Sequence, residues 1–204
     1  MNISAIICAA GMSTRMGHTN KLLMKHKDRT LLNHVVSEVL STNVYEVIVV
    51  VGHEQEKARK ALEAFEHNIQ VVYNPSYKEG QTSSIQKGIE ESSGQIDAYL
   101  ICLSDMPLIQ AEDLNIFISF FEEHGHDQEV ISRPTNGKQL GHPVLFSAGF
   151  KRDLLTCTDT DGCRSVIRRH QESFLRFETP IDGFYHDIDT LSDYNQLSQY
   201  HSKS

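Results

Sequence analysis

Residues 47–51 read Val-Ile-Val-Val-Val, five β-branched residues in a row. Such side chains are stiff at χ1 and suit a pleated strand. A strand apolar on both faces has to be covered on both sides, which is the arrangement of a parallel sheet between two layers of helices. The same reading places strands at 46–51, 5–9, 70–73 and 98–103, alternating with amphipathic stretches at 31–40, 54–65 and 83–91. Strand–helix–strand alternation closes into right-handed βαβ units, so the expected fold is a three-layer α/β/α domain with a mostly parallel sheet. The second half is less regular. A helix is expected at 111–123 after the turn at Pro107, and short strands at 129–132 and 143–146 separated by a loop over 133–141. A helix at 161–170, an extended segment at 173–177 and a last helix at 192–200 complete the pattern.

The chain has 204 residues, which fits one large domain at about 100–200 residues per domain. Lys and Arg number 19 against 27 Asp and Glu, a formal charge of −8 that argues against a duplex nucleic-acid binder, for which a concentrated basic face is needed. No apolar run approaches the roughly 18 residues that cross a bilayer, so no membrane association is expected. The apolar run from Ile3 passes straight into Gly11 with no basic region before it, unlike a secretory signal, and a cytoplasmic location is the expectation. Cys8, Cys102, Cys157 and Cys163 form no Cys-x-x-Cys pair and read as buried small hydrophobes. The histidines are scattered, and His124 and His126 flank Gly125 as a solvated loop pair, so no histidine metal site is expected. Phe117, Phe120 and Phe121 fall at helical spacing and read as packing residues.

Ligands of open α/β sheets bind beyond the carboxyl ends of the strands, which singles out three segments. The first strand runs into Ala9-Ala10-Gly11-Met12-Ser13-Thr14-Arg15-Met16-Gly17, with Asn20-Lys21 close behind. Glycines and small residues let the backbone turn tightly enough for its N–H groups to face phosphate oxygens, and Arg15 and Lys21 add fixed positive charge. The segment is neither the dinucleotide fingerprint nor a P-loop, and a glycine turn with exposed basic residues remains an equal reading. Met12 and Met16 are expected to pack beneath this loop. The fourth strand ends in Ser104-Asp105-Met106-Pro107, where Asp105 is placed either to ligate Mg²⁺ or to cap the next helix. A second carboxylate is offered by Asp187 or Asp189, which share one face if the segment is extended, although Asp189-Thr190 is equally suited to opening the last helix.

Taken together, Ala9-Ala10-Gly11-x-Ser13-x-Arg15-Met16-Gly17-x-x-Asn20-Lys21-Leu22-Leu23 resembles the signature loop of the MobA-like nucleotidyltransferases. Five further segments agree in order, namely Glu79-Gly80-Gln81-Thr82-Ser83-Ser84-Ile85, Ser104-Asp105-Met106-Pro107-Leu108, Gly141-His142-Pro143-Val144-Leu145-Phe146, Asp161-Gly162-Cys163-Arg164 and Asp187-Ile188-Asp189-Thr190-x-x-Asp193-Tyr194. Double alanine before Gly11 and the Gly-His-Pro segment resemble the molybdenum cofactor cytidylyltransferases, the MocA group, more than the guanylyltransferases of the same fold. Two departures stand out: Cys163 where the family often has alanine, and an acidic Asp159-Thr160-Asp161 beside Arg164.

The resemblance implies a Rossmann-like, GT-A-like nucleotidyltransferase fold, with a nucleotide-binding half over about 1–107 and an acceptor-binding half over about 108–200. It implies that Ala9, Ala10, Gly11 and Ser13 hold the nucleotide while Arg15 and Lys21 bind the triphosphate. Gly80, Gln81 and Ser83 would line the cytosine and ribose pocket, and Asp105 with Asp187 or Asp189 would hold Mg²⁺. Gly141, His142 and Pro143 would shape the acceptor side, with Arg133 and Arg164 on the pterin phosphate or the departing pyrophosphate. The implied reaction joins CMP from CTP to the terminal phosphate of molybdopterin, and a molybdenum hydroxylase would receive the product. A phosphate monoester is already anionic, so His142 is expected to shape the strand more than to carry a proton. Guanylyl transfer, a sugar-phosphate or methylerythritol-phosphate acceptor, a non-catalytic delivery protein, and a nucleotide-binding regulatory module remain as alternatives.

Overall fold

A computed structural model describes residues 1–13, 16, 20–125 and 128–200, the last three by backbone alone. Its centre is a seven-stranded sheet built from β1 (Ile3–Ala9), β4 (Glu46–Val51), β5 (Gln70–Tyr73), β6 (Ala98–Leu103), β7 (Ile131–Thr135), β8 (Val144–Ser147) and β9 (Phe174–Glu178). The remaining two strands, β2 (Lys25–His26) and β3 (Arg29–Thr30), form a small separate hairpin. The strand order is β5-β4-β1-β6-β8-β7-β9. Only β8 runs against its neighbours, pairing antiparallel to both β6 and β7, so the sheet is mostly parallel.

Alternation along the strands sorts side chains to two faces. Ile3, Ala5, Ile7 and Ala9 of β1 join one core, which also takes Leu32, Val35, Val36 and Val39 of α1 (Leu31–Leu40) and Ala58 and Leu62 of α2 (Gln55–Leu62). Leu114, Phe117, Ile118 and Phe121 of α4 (Ala111–His124) complete that side. Ile6 of β1 with Ile48 and Val50 of β4 faces the other core, under Ile85 and Ile89 of α3 (Gln81–Glu91), Leu154 of α5 (Lys151–Thr156) and Val166 and Ile167 of α6 (Arg164–Arg169). Helices therefore cover both faces, as the apolar strands require. A third, smaller cluster seats α7 (Leu191–Tyr200) through Leu197 against Leu31 and Ile188.

The second half departs from the sequence reading in three places. The strand expected at 129–132 is β7, which runs on to Thr135 and carries Arg133 into the sheet instead of a loop. The ladder with β8 pairs only Ile131 and Ser132, so Pro134, which has no N–H to give, lies beyond it and pairs with β9. The helix expected from Asp161 starts at Arg164, because Gly162 and Cys163 both hold positive φ, 86° and 59°. Between β8 and that loop lies α5, a helix not anticipated at all. The cysteines are buried or nearly so and all free, but Cys157 and Cys163 are not independent, with Sγ atoms 3.1 Å apart. No described helix is long and apolar enough to cross a membrane.

Phe117 has no exposed surface and packs against Phe177 and Phe184 with ring centroids 5.3 and 6.2 Å away. Phe117→Ala is expected to cost about 3–5 kcal/mol, read from urea unfolding. A loss below about 1 kcal/mol would show that this cluster does not anchor α4 to the sheet.

Candidate active site

From β1 the chain moves out through β4 to β5, then crosses back to place β6 on the other side of β1. The strand order therefore reverses between β1 and β6, the position where open α/β sheets leave a crevice. A cleft of about 690 Å³ opens there, lined by Ala10, Gly11 and Met12 after β1 and by Asp105 and Met106 after β6. Gly80, Gln81 and Ser84 line it beside α3, and Arg133, Leu140, Gly141, His142 and Arg164 form its far wall. Asp187 and Asp189 close it from the segment before α7.

Lys21 is the link between these parts. Ser13, at φ 50°, accepts from the Lys21 N–H at 3.3 Å, and Asn20 accepts from the Leu22 N–H, which fixes the short 3₁₀ turn Lys21–Leu23. The Lys21 Nζ then lies 2.7 Å from Asp105 Oδ2 and 2.9 Å from Asp189 Oδ1. Burial alone would lower the ammonium, but the two carboxylates more than reverse that and raise it above the ordinary lysine value. Burial pushes the Asp105 carboxyl up against the opposing pull of Lys21. Asp105 Oδ1 is buried with no hydrogen-bond partner among the described residues. The helix-cap alternative for Asp105 is excluded, since Gln110 caps α4. The cap of α7 likewise belongs to Thr190, whose hydroxyl accepts from the Asp193 N–H while Asp193 accepts from the Thr190 N–H. The Ile188 N–H donates to Asp105 O at 2.9 Å, which ties the two acidic segments together by backbone.

On the α3 side, Gly80 sits at φ 109° with the Thr160 carbonyl against its Cα, a place with no room for a side chain. The Gln81 N–H donates to that carbonyl at 2.9 Å. Asp159 completes the lock, accepting from Thr82 Oγ1 at 2.8 Å, the Cys163 N–H at 2.9 Å and the Ser165 N–H at 2.8 Å. The acidic run beside Arg164 thus serves the loop at this position, a role its sequence did not reveal. Ser83 turns away from the cleft, its hydroxyl within 2.8 Å of Gly80 O and 2.9 Å of Ser76 O, and Ser84 lines the cleft in its place.

At the far wall, Arg133 Nε donates to Gly141 O at 2.9 Å and Nη2 reaches His142 Nε2 at 3.2 Å. The His142 N–H donates to Phe184 O, and the His142–Pro143 peptide is cis. Burial, then the charges of Arg133 and Arg164, push the His142 imidazole down to about 3, so it is neutral near pH 7. Arg164 is 3.6 Å from Asp161 and largely exposed.

The structure thus brings Ala10, Gly11, Lys21, Gly80, Gln81, Asp105, Arg133, Gly141, His142, Arg164, Asp187 and Asp189 to the cleft or its adjoining hollow. Ser13 faces that hollow, whereas Ala9 is buried in the core and Pro143 is buried and lines a separate apolar hollow with Val35, Cys102 and Leu114. Arg15 and Gly17 lie outside the described residues, as does His126. Met16 is buried, but Met12, expected to pack as well, is 43% exposed and lines the cleft. Tyr77, Leu140 and Tyr185 were not anticipated; all three are nonpolar or aromatic residues at loop ends, where periodicity carries no signal.

A strand-order reversal with a lysine-bridged carboxylate pair at its mouth suits a ligand that brings phosphates and a cation together. The chain belongs to the MobA-like NTP transferase domain family, whose model matches residues 5–173. It is 28% identical over 200 residues to the bifunctional protein GlmU of Staphylococcus carnosus, covering 97% of this chain and 42% of that one. The chain therefore spans under half the length of that relative. Its fold superimposes on a nucleotidyl transferase from Methanothermobacter with a TM-score of 0.83 at 23% identity, covering 99% of this chain and 98% of that one. The molybdopterin-guanine dinucleotide biosynthesis protein A of Archaeoglobus fulgidus shares the fold at a TM-score of 0.70 and 12% identity, covering 98% of this chain and 100% of that one.

The hydrogen bonds to the Asp159 carboxylate outweigh its partial burial and hold it down at about 2. A depressed carboxyl stabilises the fold fully above its unfolded value near 4 and loses that contribution as pH falls through about 2. The unfolding free energies of the wild type and Asp159→Asn should therefore differ most above about pH 4 and converge near pH 2. A gap that stays constant over this range would show that the ionised carboxylate does not hold the loop.

Proposed function

We propose that this nucleotidyltransferase moves CMP from CTP to the terminal phosphate of molybdopterin and releases pyrophosphate. The observation that carries the reading is Lys21 held between Asp105 and Asp189 at the strand-order reversal, beside the turn after β1. In it, residues of about 1–107 bind the nucleotide: Ala9, Ala10, Gly11 and Ser13 by the turn they build, Gly80, Gln81 and Ser83 by the α3 start. Ser83 acts through the turn it bonds rather than by facing the cleft. Arg15 and Lys21 are assigned to the triphosphate. Residues of about 108–200 supply the acceptor side through Arg133, Gly141, His142, Pro143 and Arg164. A cytoplasmic location and a molybdenum hydroxylase as recipient belong to the same proposal.

The donor set fits Mg²⁺. Magnesium takes one or two protein carboxylates and fills its remaining positions with water and phosphate, so no larger cluster is required. No group of three or more His, Cys, Asp or Glu side chains placed to hold a metal occurs among the described residues. Asp105 offers an unpartnered buried oxygen, and Asp187 and Asp189 face the same cleft. Bound there, the ion would supply Lewis-acid charge to the phosphates. The protein's own part is positioning and fixed charge. The acceptor's phosphate needs no deprotonation near neutral pH, and a neutral His142 with its Nε2 occupied by Arg133 is not arranged as a general base. Lys21 remains charged well above neutral pH and stands ready for anionic oxygens once a ligand competes for it.

Pyrophosphate release should require CTP, a divalent cation and molybdenum-loaded molybdopterin together, and a chelator should abolish it. Lys21→Ala and Asp105→Ala should each lower that rate by about 10²–10³. Release with GTP in place of CTP would move the protein to guanylyl transfer. Unchanged turnover in either variant would remove that residue from the site.

A further inference from the structure

Two buried nucleophiles lie outside the cleft and take no part in the transfer. Cys157 follows α5 and Cys163 precedes α6, and their Sγ atoms are 3.1 Å apart. Both are free thiols; Cys163 has no exposed surface and Cys157 only 8%. The other two cysteines are not placed to react with each other. Cys8 and Cys102 stand on neighbouring strands, but Cys102 pairs with Ile7, so alternation sends the two thiols to opposite faces of the sheet.

The contact between Cys157 and Cys163 is held from both ends by one helix. Gln86 Nε2 of α3 lies 3.1, 3.2 and 2.9 Å from the carbonyl oxygens of Leu154, Leu155 and Cys157, which fixes the end of α5. Four residues earlier on the same face, Thr82 Oγ1 accepts from the Gly162 and Cys163 N–H groups at 3.1 and 3.2 Å. Positive φ at Gly162 and Cys163 folds the chain back between these anchors and returns the second thiol to the first. A cysteine at φ 59° occupies a region that side chains other than glycine rarely adopt. Asp159 keeps it there by accepting from the Cys163 N–H.

We propose that Cys157 and Cys163 form a thiol–disulfide site, oxidised by small-molecule disulfides, whose cross-link is a covalent second lock on the 157–163 loop beside the Asp159 carboxylate. The site is independent of the nucleotide and of the acceptor. Cys157, the more exposed thiol, attacks a disulfide R–S–S–R as its thiolate; a protein–sulfur bond forms, the R–S–S–R bond breaks, and RSH leaves with the proton. Cys163 then displaces the second RSH and joins Cys157. Two protein thiols are oxidised, and one small disulfide is reduced to two thiols. A disulfide holds its sulfurs at about 2.05 Å, so the pair has about 1 Å to close. Burial pushes both thiols up, so thiolate is scarce in the closed loop and exchange runs through its opening. Joining the ends removes open conformations of the loop. The carbonyl of Thr160, which presses on Gly80 and accepts from the Gln81 N–H, is then held more firmly.

The test incubates the folded whole chain with excess glutathione disulfide. Tryptic cleavage after Arg152 and Arg164 releases residues 153–164, which carry Cys157 and Cys163 and no other cysteine. That peptide should lose two hydrogen atoms and become closed to alkylation, and dithiothreitol should reverse both changes. Cys8 and Cys102 should stay alkylatable after denaturation. The cross-linked chain should melt about 5 °C higher than the dithiol form. Its Gln81, Cys163 and Ser165 amides should exchange about tenfold more slowly by NMR. Asp159→Asn, which loosens the loop, should speed cross-linking severalfold, and the cross-link should restore most of the melting temperature that this variant loses. Cys157→Ser and Cys163→Ala should each acquire neither the cross-link nor the shift. A link that forms only after unfolding, or glutathione adducts with no closure within 153–164, would overturn the site. A cross-linked chain that melts no higher and exchanges no more slowly would overturn the lock.

Discussion

The cleft depends on one partly buried cation shared by carboxylates from distant parts of the chain. Lys21 follows the turn after β1, Asp105 ends β6, and Asp189 precedes α7. Removing charges from water is costly, and attraction offsets that cost only at short range and good geometry, which 2.7 and 2.9 Å provide. Deleting one member of such a group strands the rest, at a cost of about 3–5 kcal/mol where burial is complete and less where, as at Asp189, a third of the side chain meets solvent. The ammonium is therefore a structural tie as well as a ligand group. It can be given up only to something that returns positive charge to Asp105 and Asp189 and offers negative charge to Lys21, and a cation bound together with phosphates does both.

A second lock holds the α3 side without any cation. Asp159 stays ionised because three N–H and O–H donors converge on it and stabilise its charged form. Through it the 159–163 loop and the start of α3 become one unit, with the Thr160 carbonyl accepting from Gln81. Arg164 emerges from that unit toward the cleft. The position of the Arg164 guanidinium is thus set from the same loop that shapes the surface beside Gln81, so the two sides of the cleft are not built independently.

The first half was legible because its strands are rich in apolar residues and its helices keep a clean period: β4, β5 and β6 begin and end where the apolar runs of the sequence place them. Asp105 was legible for a different reason, since topology puts functional groups at strand ends whatever the local propensity. The second half hid its structure in context. β7 contains Arg133 and Pro134, residues that read as loop, and is a strand because β9 pairs with it along its full length. α5 is too short for a periodic signal, and the late start of α6 follows from positive φ at Cys163, which no residue type announces. Ser83 shows the limit at the site itself: the motif places it at the start of α3, while the direction of its hydroxyl depends on Asn74 and Ser76, brought in from the preceding strand end.

An acidic chain with a formal charge of −8 is a poor host for polyanions only if charge acts as an average. Across a cleft walled by protein, local fields decide what binds, because buried charges are screened less than exposed ones and low-dielectric walls focus the field. Here the carboxylates are concentrated around Lys21, and Arg133 and Arg164 stand on the opposite wall with neutral His142 between charge and sheet. Such a cleft has polarity along its length. A ligand that is negative throughout meets attraction at the guanidinium wall and repulsion at the acidic end, unless a cation accompanies it there. In the proposed transfer, two anionic reactants are told apart by where each finds its counter-charge, one through a cation at the carboxylates and one directly at arginine. Separating positive and negative groups in this way keeps the reactants apart in binding while the cleft that joins them brings their ends together.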